Sequence, residues 1–201
     1  MSPIQYPPGV KPFAQNERKT QTGKKKYKPK IAAGNRGMDF EDGINQSNTY
    51  YLEKGLCCIT KRPTPINVVK VDYTKGSVIT QAYFETQSTT DYNGVYKGHY
   101  IDFEAKSSHS KTSFPLANIP LQQIEHLERV IAHGGIAFFL IRFVHSQEVY
   151  LLPASYVINF YRERPRASIP HEEIEKHGYR VEEKFQPRYD YLPLIDEVFL
   201  K

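Results

Sequence analysis

At 201 residues and 23.3 kDa the chain has the length of one domain with its own core and is too short for two of full size. Hydrophobic residues at 39% and charged residues at 24%, with 15 Tyr, 11 Phe and no Trp, exclude a wholly disordered, collagen-like or fibrous chain. The net charge of +5 is unevenly spread, because residues 1–36 hold nine basic residues against Glu17 alone, which is +8 and leaves −3 for the rest. The same stretch contains Pro3, Pro7, Pro8, Pro12 and Pro29 with few aliphatic residues, so it cannot bury enough surface to offset the entropy of ordering it. A flexible cationic arm over residues 1–33 is expected, of the kind that binds polyanions; a merely solubilising tail is the alternative.

From residue 34 onward helix and strand periods alternate. Gly34 and Gly37 bracket the start of a helix reaching about Tyr51, with Phe40, Ile44 and Tyr51 on one stripe and Glu41 beside it. Residues 56–60 read as a strand, including the adjacent Cys57 and Cys58, whose side chains should point to opposite faces and so suggest neither a disulfide nor a metal site. Lys61-Arg62-Pro63-Thr64-Pro65 breaks regular structure. Residues 66–73 and 77–84 are rich in β-branched and aromatic types around Thr74-Lys75-Gly76, which predicts a hairpin. Its mixed faces fit a hairpin projecting from the body as well as one lying in the main sheet.

A short polar strand over residues 88–92 is expected next, then turns at Asn93-Gly94 and at Gly98, then a strand over residues 99–106. Residues 120–132 read as an amphipathic helix burying Leu121, Ile124, Leu127, Val130 and Ile131 and ending at Gly134-Gly135. The run 136–143 reads as a central strand paired with 148–152, and three helices follow, from Pro153 to about Arg162, over 172–177 and near 192–200. The fold class is mixed α/β. The longest apolar run, 136–141, is far below the roughly 18 residues of a membrane span, and no signal-peptide pattern is visible, so a cytoplasmic protein without a membrane is expected.

The segment Tyr100-Ile101-Asp102-Phe103-Glu104-Ala105-Lys106 carries the chemistry. As a strand it puts Asp102, Glu104 and Lys106 on one face, against the ordinary strand preference for apolar residues. The bland reading is an edge strand with a solvated polar face. The preceding polar strand puts Thr89 and Asp91 on one face, so Asp91 and Glu104 can meet. Two such oxygen ligands with waters and a phosphate suit Mg²⁺, and a divalent cation beside a lysine suits phosphodiester hydrolysis. The seven histidines follow no metal-ligand pattern, and His126 beside Glu125 reads as a helix-surface residue.

At these residues the sequence resembles the PD-(D/E)xK nuclease superfamily and, within it, the RecU family of Holliday junction resolvases. The resemblance rests on Asn35-Arg36-Gly37-Met38 with Glu41, on KRPTP (61–65), Ala82-Tyr83-Phe84, STTDYNG (88–94), Tyr96-Lys97-Gly98, YIDFEAK (100–106), KTSFP (111–115) and Gln123-Ile124-Glu125-His126. Thr90 stands where the superfamily name would have Pro, a feature that RecU-like sequences share. The resemblance implies a restriction-endonuclease-like mixed sheet flanked by helices over residues 34–201, with a projecting β-hairpin stalk over residues 62–84. It implies Mg²⁺ held by Thr89, Asp91, Glu104 and Gln123, with Lys106 stabilising the transition state and Glu41 as a supporting acid, while Asp102 stays unassigned. DNA contacts are expected from Arg36, Lys61, Arg62, Lys75, Tyr83, Phe84, Lys97 and Lys111. A homodimer that nicks two strands of four-way junction DNA symmetrically is implied, and a RecA-type recombinase is a further partner that the family raises. A non-catalytic junction-binding or recombinase-regulating protein on the same fold is the alternative, and an intact Asp91, Glu104 and Lys106 argues against it.

The uneven charge gives a direct test. A chain lacking residues 1–30 should bind DNA more weakly at low salt, with a shallower slope of log affinity against log salt, because each neutralised phosphate contributes about −0.9 to that slope. Binding isotherms at several salt concentrations measure it, and an unchanged slope would remove the arm from DNA capture.

Overall fold

The computed structural model describes residues 35–74, 76–84 and 89–201, with side chains described from Asp39 onward. The expected arm, and the side chains of Arg36 and Lys75, lie outside the described residues. In chain order the elements are α1 (Asn35–Glu53), β1 (Cys58–Lys61), β2 (Ile66–Asp72), β3 (Val78–Phe84), β4 (Tyr92–Tyr96), β5 (His99–Ser108) and β6 (Ser113–Pro115). Then come α2 (Leu121–Ala132), β7 (Ile136–Phe143), β8 (Glu148–Pro153), α3 (Ala154–Glu163), β9 (Ser168–Pro170), α4 (His171–His177), β10 (Tyr179–Arg180), β11 (Glu182–Glu183), β12 (Tyr189–Asp190) and α5 (Leu192–Phe199). The mixed sheet flanked by helices is present. Among the described residues, no helix is long and apolar enough to cross a membrane.

Six strands form the central sheet in the order β1-β4-β5-β7-β8-β10. Neighbours pair antiparallel except β5 and β7, which run parallel from Ile101↔Ile136 to Ser108↔Phe143, because the chain crosses over through α2 between them. Side chains alternate across this sheet and build two cores. Ile101, Phe103 and Ala105 with Ile136, Phe138 and Leu140 face α1 and α5, whereas Ala137, Phe139, Ile141 and Phe143 pack with Ile124 and Leu127 of α2 and Val157 of α3. On the first face Tyr92 stacks on Phe103 at 4.8 Å between ring centroids, and Phe103 on Phe138 at 4.7 Å, so one column of rings ties β4, β5 and β7 together.

β5 is an interior strand, which sets aside the bland reading of a solvated edge, and its Asp102 and Glu104 are fully buried. Two expectations need correction. Asn93-Gly94 is no turn: both residues lie within β4, opposite Asp102 and Ile101 on one side and Thr60 and Ile59 on the other. The Gly is there for close approach, since a Cβ on Gly94 would lie 2.0 Å from the Cys58 carbonyl oxygen. The reversal falls at Lys97-Gly98, both at positive φ (48° and 80°), as a tight hairpin requires. In α2, Leu121 and Ile131 are exposed rather than buried while Gln123 is buried beside Ile124, because the first turn of the helix covers the polar part of β5.

Among the described residues β2 and β3 pair only with each other, from Ile66↔Phe84 to Asp72↔Val78, and Ile66, Val68, Val69, Val78, Ile79, Tyr83 and Phe84 are all exposed. This two-stranded ribbon leaves the body just after β1, and its register puts Tyr83 and Phe84 at the end attached to the body.

Gly94→Ala should destabilise the protein by about 3 kcal/mol or more, because the new methyl must displace β1 backbone rather than a flexible side chain. Chemical denaturation measures it, and a stability within about 0.5 kcal/mol of the parent would contradict the close approach.

Candidate active site

β5 has an apolar face and a polar face, and the polar one lies under the N-terminal half of α2. Residues two apart on a strand and three apart on a helix each share a face. Gln123 and His126 of α2 therefore stand over Glu104 and Asp102 of β5 respectively, and each carboxylate is covered by one helix residue.

Glu104 is fully buried and receives three donors. The Lys106 ammonium lies 2.5 Å from its Oε1, the Gln123 amide donates Nε2–H to the same oxygen at 2.9 Å, and the Asp91 backbone N–H donates to Oε2 at 3.0 Å. Burial is the largest influence on the carboxyl and raises its pKa to about 7; the Lys106 charge opposes the rise and the Asp91 charge adds to it. Thr89 and Asp91 stand just before β4 and not within a strand. Gln123 reaches back toward the Thr89 carbonyl oxygen at 3.4 Å, so Thr89, Asp91, Glu104, Lys106 and Gln123 meet in one place.

Among the described residues no three His, Cys, Asp or Glu side chains come together as a metal cluster. A mixed oxygen set is present instead. Gln123 spends its Nε2 on Glu104, and its buried Oε1 has no hydrogen-bond partner among the described residues. A buried amide oxygen next to a carboxylate fits a hard cation, which takes one or two carboxylates and leaves other positions to water and phosphate.

Asp102, which the sequence left unassigned, is the centre of a second network. Its buried carboxylate accepts from Arg62 Nη2 at 2.6 Å, the Tyr100 hydroxyl at 2.9 Å, His126 Nε2 at 2.9 Å and the Thr90 hydroxyl. Arg62 also donates its backbone N–H to the Asp91 carbonyl at 2.7 Å. The root of the ribbon is thus fastened to β5 and to the segment that leads into β4, and the Arg62 side chain, expected to face DNA, is turned inward. Sequence reasoning missed the roles of Thr90, Tyr100 and His126. The matched spacings Asp102/Glu104 and Gln123/His126 were the available signal.

The remaining expected residues are dispersed. Glu41 bonds the Lys61 ammonium, whose pKa is raised chiefly by that contact; the Asp91 charge acts on the same lysine, so the pair borders the site. Lys97 lies beyond the opposite end of β4, paired with Asp196 at 2.7 Å and set over the Tyr96 ring. Lys111 is exposed in the loop after β5, and Tyr83 and Phe84 are exposed on the ribbon.

The family model described as Recombination protein U matches residues 35–197, which takes in every element above except the last residues of α5. A Geobacillus kaustophilus protein named Holliday junction resolvase RecU is 50% identical over 177 residues, covering 86% of this chain and 88% of its own length. Relatives of the same name are 48% identical over 201 residues in Bacillus cytotoxicus, covering 98% of both chains, and 51% identical over 179 residues in Lactococcus lactis subsp. cremoris, covering 88% and 84%. The solved Archaeoglobus fulgidus Hjc, a Holliday junction resolvase, aligns with 71% of this chain and 94% of its own at a TM-score of 0.42 and 12% identity.

The raised pKa of Glu104 has a measurable consequence. The native carboxyl holds its proton up to about pH 7, whereas the unfolded one releases it near 4.5, so between those values the native state binds more protons and stability falls as pH rises. In EDTA the protein should lose on the order of 3 kcal/mol from pH 4.5 to 7.5 relative to Glu104→Gln, which has nothing to titrate there. Denaturation curves of both proteins across this range test it, and parallel profiles would refute the burial effect.

Proposed function

Because the chain belongs to the RecU family, we propose that it is a Holliday junction resolvase, an endonuclease that cuts four-way junction DNA by hydrolysing phosphodiesters during recombination and repair. The observation that carries the reading is the convergence of Asp91, Lys106 and the Gln123 amide on the buried Glu104. Asp91, Glu104, the Gln123 amide oxygen and Thr89 are the groups proposed to hold Mg²⁺. When bound, a divalent cation lowers the pKa of a coordinated water and offsets charge on the scissile phosphate.

The protein's own groups do the positioning. Burial of Glu104 strengthens each charge interaction it makes at the site. Lys106, held against Glu104 and about a quarter exposed, presents an ammonium to the place where negative charge grows on the phosphoryl oxygens. Glu41 restrains Lys61 at the border, where a second cation meets the incoming backbone.

A junction offers two equivalent strands, so a two-fold homodimer with two such sites would nick them symmetrically. The ribbon, with apolar and aromatic side chains exposed on both faces, suits insertion at the crossover, where Tyr83 and Phe84 can stack on unpaired bases for about 1–3 kcal/mol per base. Contact with a RecA-type recombinase rests on the family resemblance alone.

On a synthetic four-way junction, cleavage should appear with Mg²⁺ and vanish with EDTA. Lys106→Ala should slow nicking by at least about a hundredfold while junction affinity changes little, because the lysine acts on the transition state. Full activity in EDTA or in Lys106→Ala would defeat this mechanism, and binding without cleavage by the parent protein would favour the non-catalytic alternative.

A further inference from the structure

The Asp102 network borders a cavity of about 370 Å³ between the end of α2 and the start of β5, lined by Tyr100, His126, Arg129, Val130, His133 and Gly135. His126, Arg129 and His133 recur at helical spacing and continue the stripe that Gln123 begins. Asp102 is fully buried, and two of the four groups it binds, the Tyr100 hydroxyl and His126 Nε2, belong to the cavity wall. A carboxylate this deep with four donors is a fixed point, and it sets the orientation of both rings. Arg129, exposed, lines the same cavity. The wall therefore combines the Tyr100 ring and the Val130 side chain with the Arg129 guanidinium and the imidazoles of His126 and His133. That pairing matches a deoxyribose and its phosphate.

Position along the fold identifies which nucleotide. Asp102 is two residues from Glu104 on β5, about 7 Å, and Arg129 is six residues from Gln123 on α2, about 9 Å. These displacements run the same way along the packed pair and carry the cavity about one nucleotide from a phosphate held at Glu104. We propose that this cavity is a subsite for the sugar-phosphate adjacent to the one cut. In it Arg129 neutralises the neighbouring phosphate, the deoxyribose lies on Tyr100 and Val130, and Asp102 is the positioning residue that holds Tyr100 and His126 in place. The inference rests on the resolvase reading and extends it, since a strand gripped at two consecutive phosphates has its scissile bond fixed in direction as well as in place.

The test uses four-way junctions in which one phosphate at a time, on either side of the scissile one, is replaced by an uncharged methylphosphonate. Single-turnover nicking is followed with Mg²⁺. The parent protein should lose about tenfold in rate at one flanking position, the size of one charge-assisted hydrogen bond. Arg129→Ala, a change at an exposed helix position, should cut the unmodified junction about tenfold more slowly and show no further loss at that position. His126→Ala should weaken the same sensitivity. A parent rate indifferent to every flanking methylphosphonate, or an Arg129→Ala protein that keeps the full sensitivity, would overturn the subsite. Failure of the parent protein to cut the unmodified junction would overturn the resolvase reading itself and the subsite with it, and it is seen before any substitution is made.

Discussion

Two carboxylates sealed inside a sheet, two residues apart on β5, set the terms for the surrounding structure. A buried carboxylate is tolerated only when donors surround it, and each of these draws its donors from different parts of the chain. Glu104 collects a lysine from its own strand, an amide from α2 and a backbone N–H from the segment before β4. Asp102 collects an arginine from the ribbon root, a tyrosine from its own strand, a histidine from α2 and a threonine from beside Asp91. Satisfying both fixes the position of α2, the β4 approach and the ribbon at once.

The opposite face of the sheet supplies the rigidity this needs. The stacked rings of Tyr92, Phe103 and Phe138 join three strands at the level of the acidic residues, and the Tyr92 hydroxyl reaches Asn45 of α1 at 3.1 Å. Phe103 sits between Asp102 and Glu104 in sequence and points the other way, so the register that stacks the rings also aligns the carboxylates. The parallel pairing of β5 with β7 then carries α2 across the polar face. Site and core are two sides of one strand arrangement.

The ribbon has the reverse character. Its strands bury little, yet Arg62 at its root is fixed through both its backbone and its side chain. An exposed two-stranded ribbon is only marginally stable by itself, so its direction is decided at that root and not along its length. The exposed apolar side chains are a surface that a partner can cover, whereas the cations around the site are largely engaged with carboxylates of the protein.

The sequence by itself determined the succession of α1, the ribbon strands, β5, α2, β7, β8, α3, α4 and α5, because hydrophobic period and turn chemistry act within a few residues. It also identified Asp91, Glu104, Lys106 and Gln123 as the residues to watch, through strand alternation and a family motif. It misread Asn93-Gly94, since a glycine needed for another strand's close approach looks the same as one needed for a turn. It left an edge position open for β5, since polar alternation is shared by a solvated strand and by one buried under a polar helix face. Which donors reach Asp102, how Arg62 turns inward, and that His126 belongs to the site rather than the surface were decided only by tertiary structure. Apart from the one from Tyr100, two residues away on the same strand, those contacts join residues 12 to 40 positions apart, and their geometry exists only once the sheet order and the crossover of α2 bring the elements together.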